Sequence, residues 1–275
     1  MTDGASPPPT TFASAMLWIV DLDGVVWLTG EPIGPVGRAV ADLRDHGIRV
    51  VFATNNSALT TVELLGRLDR IGIESAPGDL ATSATAVASL LQPGQRVRVL
   101  AEGGVLESLA HRGVEAVTSG GAGITDAAVV GWSRSFDFAA LAATATAARQ
   151  SGRLLATNED PTHPTPEGLM PGSGALLAAV ATASGVTPEI AGKPHAAMAH
   201  LMQERFGFAQ DDPSVVMIGD QPRTDGRLAQ LLGIPFGLVD SGVTPAGTLS
   251  FDVPIGLRAP DFVSLVRSCF EPETV

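Results

Sequence analysis

The sequence predicts an α/β fold: a doubly wound, mostly parallel sheet with a second α/β domain inserted into it. Three observations point there. Short apolar strands alternate with Ala- and Leu-rich helical stretches along the chain, the pattern that βαβ crossovers leave. Three of the strands stop at polar clusters, and ligands of open α/β sheets bind outside the carboxyl ends of the strands. The middle of the chain, 80–187, keeps the alternation but has none of these polar strand ends. It reads as an inserted domain between core segments 14–79 and 188–275.

Taken in order, the expected strands are Met16–Val20, Arg49–Ala53, Arg96–Ala101, Ala127–Gly131, Arg153–Ala156, Ser214–Ile218 and Phe236–Val239. The expected helices are Val36–His46, Thr60–Ile71, Ala84–Leu91, Phe136–Gln150, Gly174–Ser184, Pro194–Phe206 and Gly226–Leu232. Residues 1–13, small and Pro-rich, read as a flexible tail. The polar clusters are Asp21-Leu22-Asp23-Gly24 after Val20, Thr54-Asn55-Asn56-Ser57 after Ala53, and Gly219-Asp220 after Ile218.

With 275 residues, 45% of them hydrophobic, the chain can bury a sizeable core. A formal net charge of −12 argues against a nucleic-acid binder, which needs a basic face. It leaves room for a local phosphate site built from backbone N–H groups and a few cations. The single cysteine, Cys269, can form no internal disulfide, and no Cys cluster suggests zinc. No apolar stretch approaches the roughly 18 residues of a membrane span. A cytoplasmic protein is expected.

Asp21 and Asp23 flank Leu22, so both can face one side of an extended segment. They read as a strand-ending turn or as a nucleophile with a neighbouring acid/base, because carboxylates attack phosphorus to form aspartyl-phosphates. A calcium loop is excluded by spacing: its fifth and sixth positions would be Val25 and Val26. The run Thr54 to Ser57 reads as a helix N-cap or as an anion-binding nest. Of 17 Lys and Arg residues only Lys193 is lysine, just before Pro194. Elsewhere it would be an ordinary surface charge, but in an arginine-rich chain a compact ammonium suits one phosphate oxygen and one carboxylate. Asp220, at a strand end, suits Mg²⁺. Asp225 reads as a ligand or as the N-cap of the next helix. The five histidines show no metal spacing. His195, near Lys193, reads as a helix-surface residue or one reaching the cleft, and Arg223 is open in the same way. The tryptophans read as core packing.

Together Asp21-Leu22-Asp23-Gly24, Thr54-Asn55-Asn56, Gly192-Lys193-Pro194 and Gly219-Asp220 with Thr224-Asp225 resemble the four ordered motifs of the haloacid dehalogenase superfamily. The insert is similar to that superfamily's type IIA cap. The segments Ala156-Thr157-Asn158-Glu159-Asp160-Pro161 and Pro171-Gly172-Ser173-Gly174 resemble a cap signature of its NagD-like, 4-nitrophenylphosphatase-like branch. Gly226 departs from the family pattern, which prefers a branched aliphatic there.

The resemblance implies a Rossmann-like core with a cap that selects the substrate. It implies Asp21 as nucleophile and metal ligand, Asp23 as acid/base and metal ligand through its backbone carbonyl, and Asp220 as the remaining protein ligand. Asp225 would support the metal shell or the lysine, and Thr54, Asn55 and Lys193 would hold the phosphoryl group. The expected cofactor is Mg²⁺. The expected activity is hydrolysis of a small phosphomonoester such as glycerol phosphate, phosphoglycolate, a sugar phosphate or a nucleoside monophosphate. A phosphotransferase or mutase, and an idle phospholigand-binding regulator, are the alternatives. Neither nucleic acid nor membrane is an expected partner, and a homodimer through the cap is left open.

Overall fold

The computed structural model describes residues 10–119, 123–165, 168–244 and 250–270. The chain divides into two compact units. One comprises Met1–Thr54, Leu65–Leu80 and Met202–Val275, and the other Asn55–Leu64 and Ala81–Leu201.

The first unit is built on a six-stranded sheet in the order 257–259, 236–239, 215–219, 17–20, 49–54, 80–82. Leu17–Val20 pairs in parallel with Val215–Gly219 on one side and with Arg49–Thr54 on the other. The chain therefore winds outward from 17–20 in one direction, then returns to wind outward in the other. The switch lies between strands 17–20 and 215–219, where an open α/β sheet forms its crevice. Both strands are buried along their length, as strands covered on two faces must be. The helix Val36–Asp45 buries Val36, Ala39, Val40 and Leu43, the i, i+3, i+4, i+7 stripe of a helix on a sheet. Trp18, fully buried, meets Phe12 and Phe262 edge-on, each at 6.3 Å between ring centroids.

That packing corrects the expected tail. Residues 1–9 lie outside the described residues, but Thr10–Ala13 form a helical turn and Phe12 is 0% exposed. One aromatic side chain with a core partner is enough to fix four residues that composition alone reads as loose.

The second unit has a five-stranded parallel sheet in the order 188–190, 154–156, 127–130, 96–100, 115–117. Leu100, Val130, Leu154, Leu176 and Val180 form its core with the small residues of helices Phe138–Ser151 and Ser173–Ser184. An antiparallel hairpin, Thr162–Thr165 with Gly168–Pro171, stands beside this sheet in the chain. Residues 55–64 belong to this unit for a physical reason. Thr61 N–H donates to Glu107 Oε2 at 2.7 Å, and the helix Gly103–His111 begins against the 57–59 backbone. At Gly104 a Cβ would stand 2.2 Å from the Leu59 carbonyl oxygen.

Candidate active site

In the first unit the strand Leu17–Val20 delivers Asp21 to the switch point. Asp21 N–H donates to the Ile218 carbonyl at 2.9 Å, so the residue still rides on the sheet, and its Oδ1 accepts from Leu22 N–H at 2.7 Å. The chain then turns sharply, with Gly24 at φ +89°. A side chain there would be strained, and its Cβ would lie 2.6 Å from Asp220 Oδ2. Glycine thus permits both the turn and the approach of the second carboxylate.

Asp220 follows Val215–Gly219 and is fully buried. Its Oδ2 accepts from Val243 N–H at 2.7 Å, and the Thr244 hydroxyl donates to its backbone carbonyl. The next residues, Pro222–Gly226, form a π-helical turn. This wider turn places Asp225, also fully buried, with Oδ2 accepting from Gln221 N–H at 3.1 Å. The N-cap of the following helix Arg227–Leu232 is Gly226, so Asp225 is not its cap. A π-turn of this kind often marks a functional position.

Asp21, Asp220 and Asp225 each offer a carboxylate oxygen, and these oxygens lie within 4.8 Å of one another. All three residues are at most 5% exposed. Hard anionic oxygens concentrated in a buried place suit Mg²⁺ or Ca²⁺ rather than a soft metal, so the donor set fits the divalent cation the sequence implied.

Asp23 takes a different orientation. Its carboxylate accepts from Trp27 Nε1 at 3.0 Å and from the Thr54 hydroxyl at 3.4 Å. Trp27 is a participant that sequence reasoning left in the core; its spacing of four from Asp23 was the available signal. Thr54 ends the 49–54 strand, which is why its hydroxyl meets the turn after the neighbouring strand.

In the second unit the structure ties Asn55 to Lys193. Asn55 Oδ1 accepts from Lys193 N–H at 2.8 Å, and Asn55 Nδ2 donates to the Lys193 carbonyl at 3.1 Å. Lys193 is 2% exposed, so the ordinary surface lysine is ruled out. His195 is held by Glu159, with Nε2 3.0 Å from Oε1. Arg223 is exposed and, with Gln221, Thr244 and Phe251, lines a cavity of about 420 Å³ in the first unit.

Among the described residues no helix is long and apolar enough to cross a membrane. A haloacid dehalogenase-like hydrolase family model matches residues 18–115, and a HAD-hydrolase-like model matches residues 190–264. A D-glycerol 3-phosphate phosphatase of Mycobacterium tuberculosis is 32% identical over 249 residues, spanning 89% of this chain and 68% of the relative. A dihydroxyacetone phosphatase of Corynebacterium glutamicum is 30% identical over 234 residues, covering 82% of each. Solved structures of a glycerol phosphate phosphatase from Mycobacterium tuberculosis, one with calcium and one with magnesium, each superpose with a TM-score of 0.80 at 30% identity. They cover 94% and 92% of this chain and 76% of the solved one. Two successive family models, these relatives and the carboxylate-ended parallel strands agree: the chain belongs to the haloacid dehalogenase-like hydrolases.

Proposed function

We propose that this protein is a phosphatase that hydrolyses small phosphomonoesters through a phosphorylated Asp21, using Mg²⁺. The observation that carries the reading is the trio of buried carboxylates, Asp21 and Asp220 at the ends of adjacent parallel strands and Asp225 in the turn that follows, with Asp23 two residues beyond the nucleophile. Glycerol phosphate and other three-carbon or sugar phosphates are the substrate class, supported by the activities named for the relatives.

An Asp21 carboxylate oxygen attacks phosphorus, and the ester P–O bond breaks. Asp23, oriented by Trp27 and Thr54, gives its proton to the departing alkoxide. The same carboxylate then takes a proton from water, whose oxygen displaces Asp21 from phosphorus and frees phosphate. The Thr54 hydroxyl, the Asn55 backbone N–H and the Lys193 ammonium are the donors toward the equatorial oxygens, where charge spreads in the transition state; the Asn55 side chain is taken up by Asp160 and Lys193. Asp21, Asp220 and the Asp23 carbonyl would hold the cation, with Asp225 behind them. When bound, Mg²⁺ offsets the repulsion between a carboxylate and a phosphate dianion. The inserted segment 80–187, which contributes none of these carboxylates, serves as the cap that selects the leaving group.

The test is turnover of p-nitrophenyl phosphate and glycerol phosphate with Mg²⁺ and after chelation. Activity that needs the metal supports the reading. Full activity after exhaustive chelation, or none with any phosphomonoester, would contradict it.

A further inference from the structure

The segments 156–161 and 171–174 carry the resemblance to the cap signature. In the structure they pack backbone to backbone. A Cβ at Gly172 would stand 2.2 Å from the Asp160 carbonyl oxygen, and one at Gly174 would stand 2.2 Å from that of Glu159. No other residue could come so close. Gly174 N–H also donates to the Asp160 carbonyl at 2.9 Å, so the start of the helix Ser173–Ser184 braces residues 159–160 from behind. From the other side Asn158, 5% exposed, accepts from Asp160 N–H through Oδ1 at 3.1 Å.

The carboxylate that this braced turn presents is Asp160, and Oδ2 accepts from Asn55 Nδ2 at 3.0 Å. Asn55 is the residue that holds Lys193 by both of its backbone groups. Its own carbonyl accepts from Asn158 Nδ2 at 2.8 Å and from the Ser83 hydroxyl at 2.7 Å. Gly192 completes the fit: its N–H donates to the Thr157 carbonyl at 2.8 Å, and a Cβ there would lie 2.6 Å from Asn55 Oδ1.

The geometry points to Asp160 as a positioning residue for Lys193, acting through Asn55. The inference rests on the proposed role of Lys193 at the phosphoryl group. An amide side chain has two N–H donors and one acceptor oxygen in a fixed plane. In Asn55 one donor goes to Asp160 and one to the Lys193 carbonyl, while the oxygen takes the Lys193 N–H. The bond to a carboxylate is charge-assisted and stronger than the neutral ones, so it sets the plane of the amide. Removing it leaves a half-satisfied amide that can rotate, and the Lys193 backbone loses its reference. A shift of about 1 Å in a group that orients a reacting centre can cost 10²-fold in rate. The inserted segment thereby contributes to the chemical step itself and not only to the choice of leaving group.

The experiment is a set of variants assayed at saturating Mg²⁺. Asp160→Ala should lower kcat by about 10- to 10²-fold on p-nitrophenyl phosphate and on glycerol phosphate alike. Inhibition by orthovanadate should weaken in step, while melting temperature changes little. Asp160→Asn, whose side-chain oxygen can still accept from Asn55, should lose clearly less. In an Asn55→Ala background, Asp160→Ala should add less than about twofold, because the two residues act as one unit. Asp160→Ala within about twofold of wild type would overturn the assignment. So would a loss confined to one substrate, which would make Asp160 a leaving-group contact. Equal losses in Asp160→Ala and Asp160→Asn, or full additivity with Asn55→Ala, would overturn it too. A wild-type protein inactive on every ester would instead sink the phosphatase reading, so the two failures are distinguishable.

Discussion

Asp21, Asp220 and Asp225 bring three carboxylates within 4.8 Å in a buried setting. At an effective dielectric near 20, two unit charges about 5 Å apart repel by roughly 3 kcal/mol. Positive charge close by relieves that repulsion, and a divalent cation binding the folded chain alone raises its stability by mass action. Millimolar Mg²⁺ should therefore raise the melting temperature of the wild type by several degrees, and Asp220→Asn should lose most of that rise. An undiminished rise in Asp220→Asn, read by differential scanning calorimetry, would remove Asp220 from the metal site. At this scale the sequence was informative where a residue's chemistry is set by its neighbours in the chain, as in Asp21-Leu22-Asp23. Lys193 stood out through its rarity, and its burial explains why arginine does not replace it: a planar guanidinium needs more room and prefers bidentate contacts. Trp27 offered only its spacing from Asp23, and Asp160 only a resemblance with no role attached, because its partner Asn55 is met after a long excursion of the chain.

Among the elements, the long apolar strands were legible to within a residue or so. Val50–Thr54 and Phe236–Val239 are continuous buried runs, and such runs have no competing reading once turn residues bound them. The strands Glu115–Val117, Pro188–Ile190 and Leu257–Ala259 were not legible. Each has three residues at a sheet edge and is only partly buried, so hydrophobicity does not mark it. The helices Gly103–His111 and Phe262–Phe270 were missed as well, the first because it opens on two glycines placed there by a close backbone approach. The turn Thr10–Ala13 is anchored by a tertiary contact that local composition cannot announce. Phe12→Ala should cost about 3 kcal/mol, the lower end for an aromatic removed from a core, with kcat unchanged. A urea midpoint shift equivalent to less than about 1 kcal/mol would mean that Phe12 does not anchor the turn to the core.

For the molecule as a whole, a formal net charge of −12 sets a long-range field that opposes anionic substrates. Capture must then depend on local groups, which in the proposed mechanism are a cation held by Asp21 and Asp220, and Lys193. Fold class, parallel topology and the order of the polar strand ends were all legible, since each follows from periodicity and chain order. The division into units was only partly so: residues 55–64 and 188–201 group with the inserted segment because of hydrogen bonds and close packing that no local pattern records. The central claim is that the phosphoryl group passes through Asp21. It is tested most directly by mixing the Mg²⁺-loaded protein with radiolabelled substrate, quenching in acid within one turnover, and mapping the label. The account predicts label on the peptide containing Asp21, lost on treatment with hydroxylamine and absent from Asp21→Asn, whose turnover falls by about 10³-fold or more. Label on another residue, or turnover of Asp21→Asn within about tenfold of wild type, would contradict it.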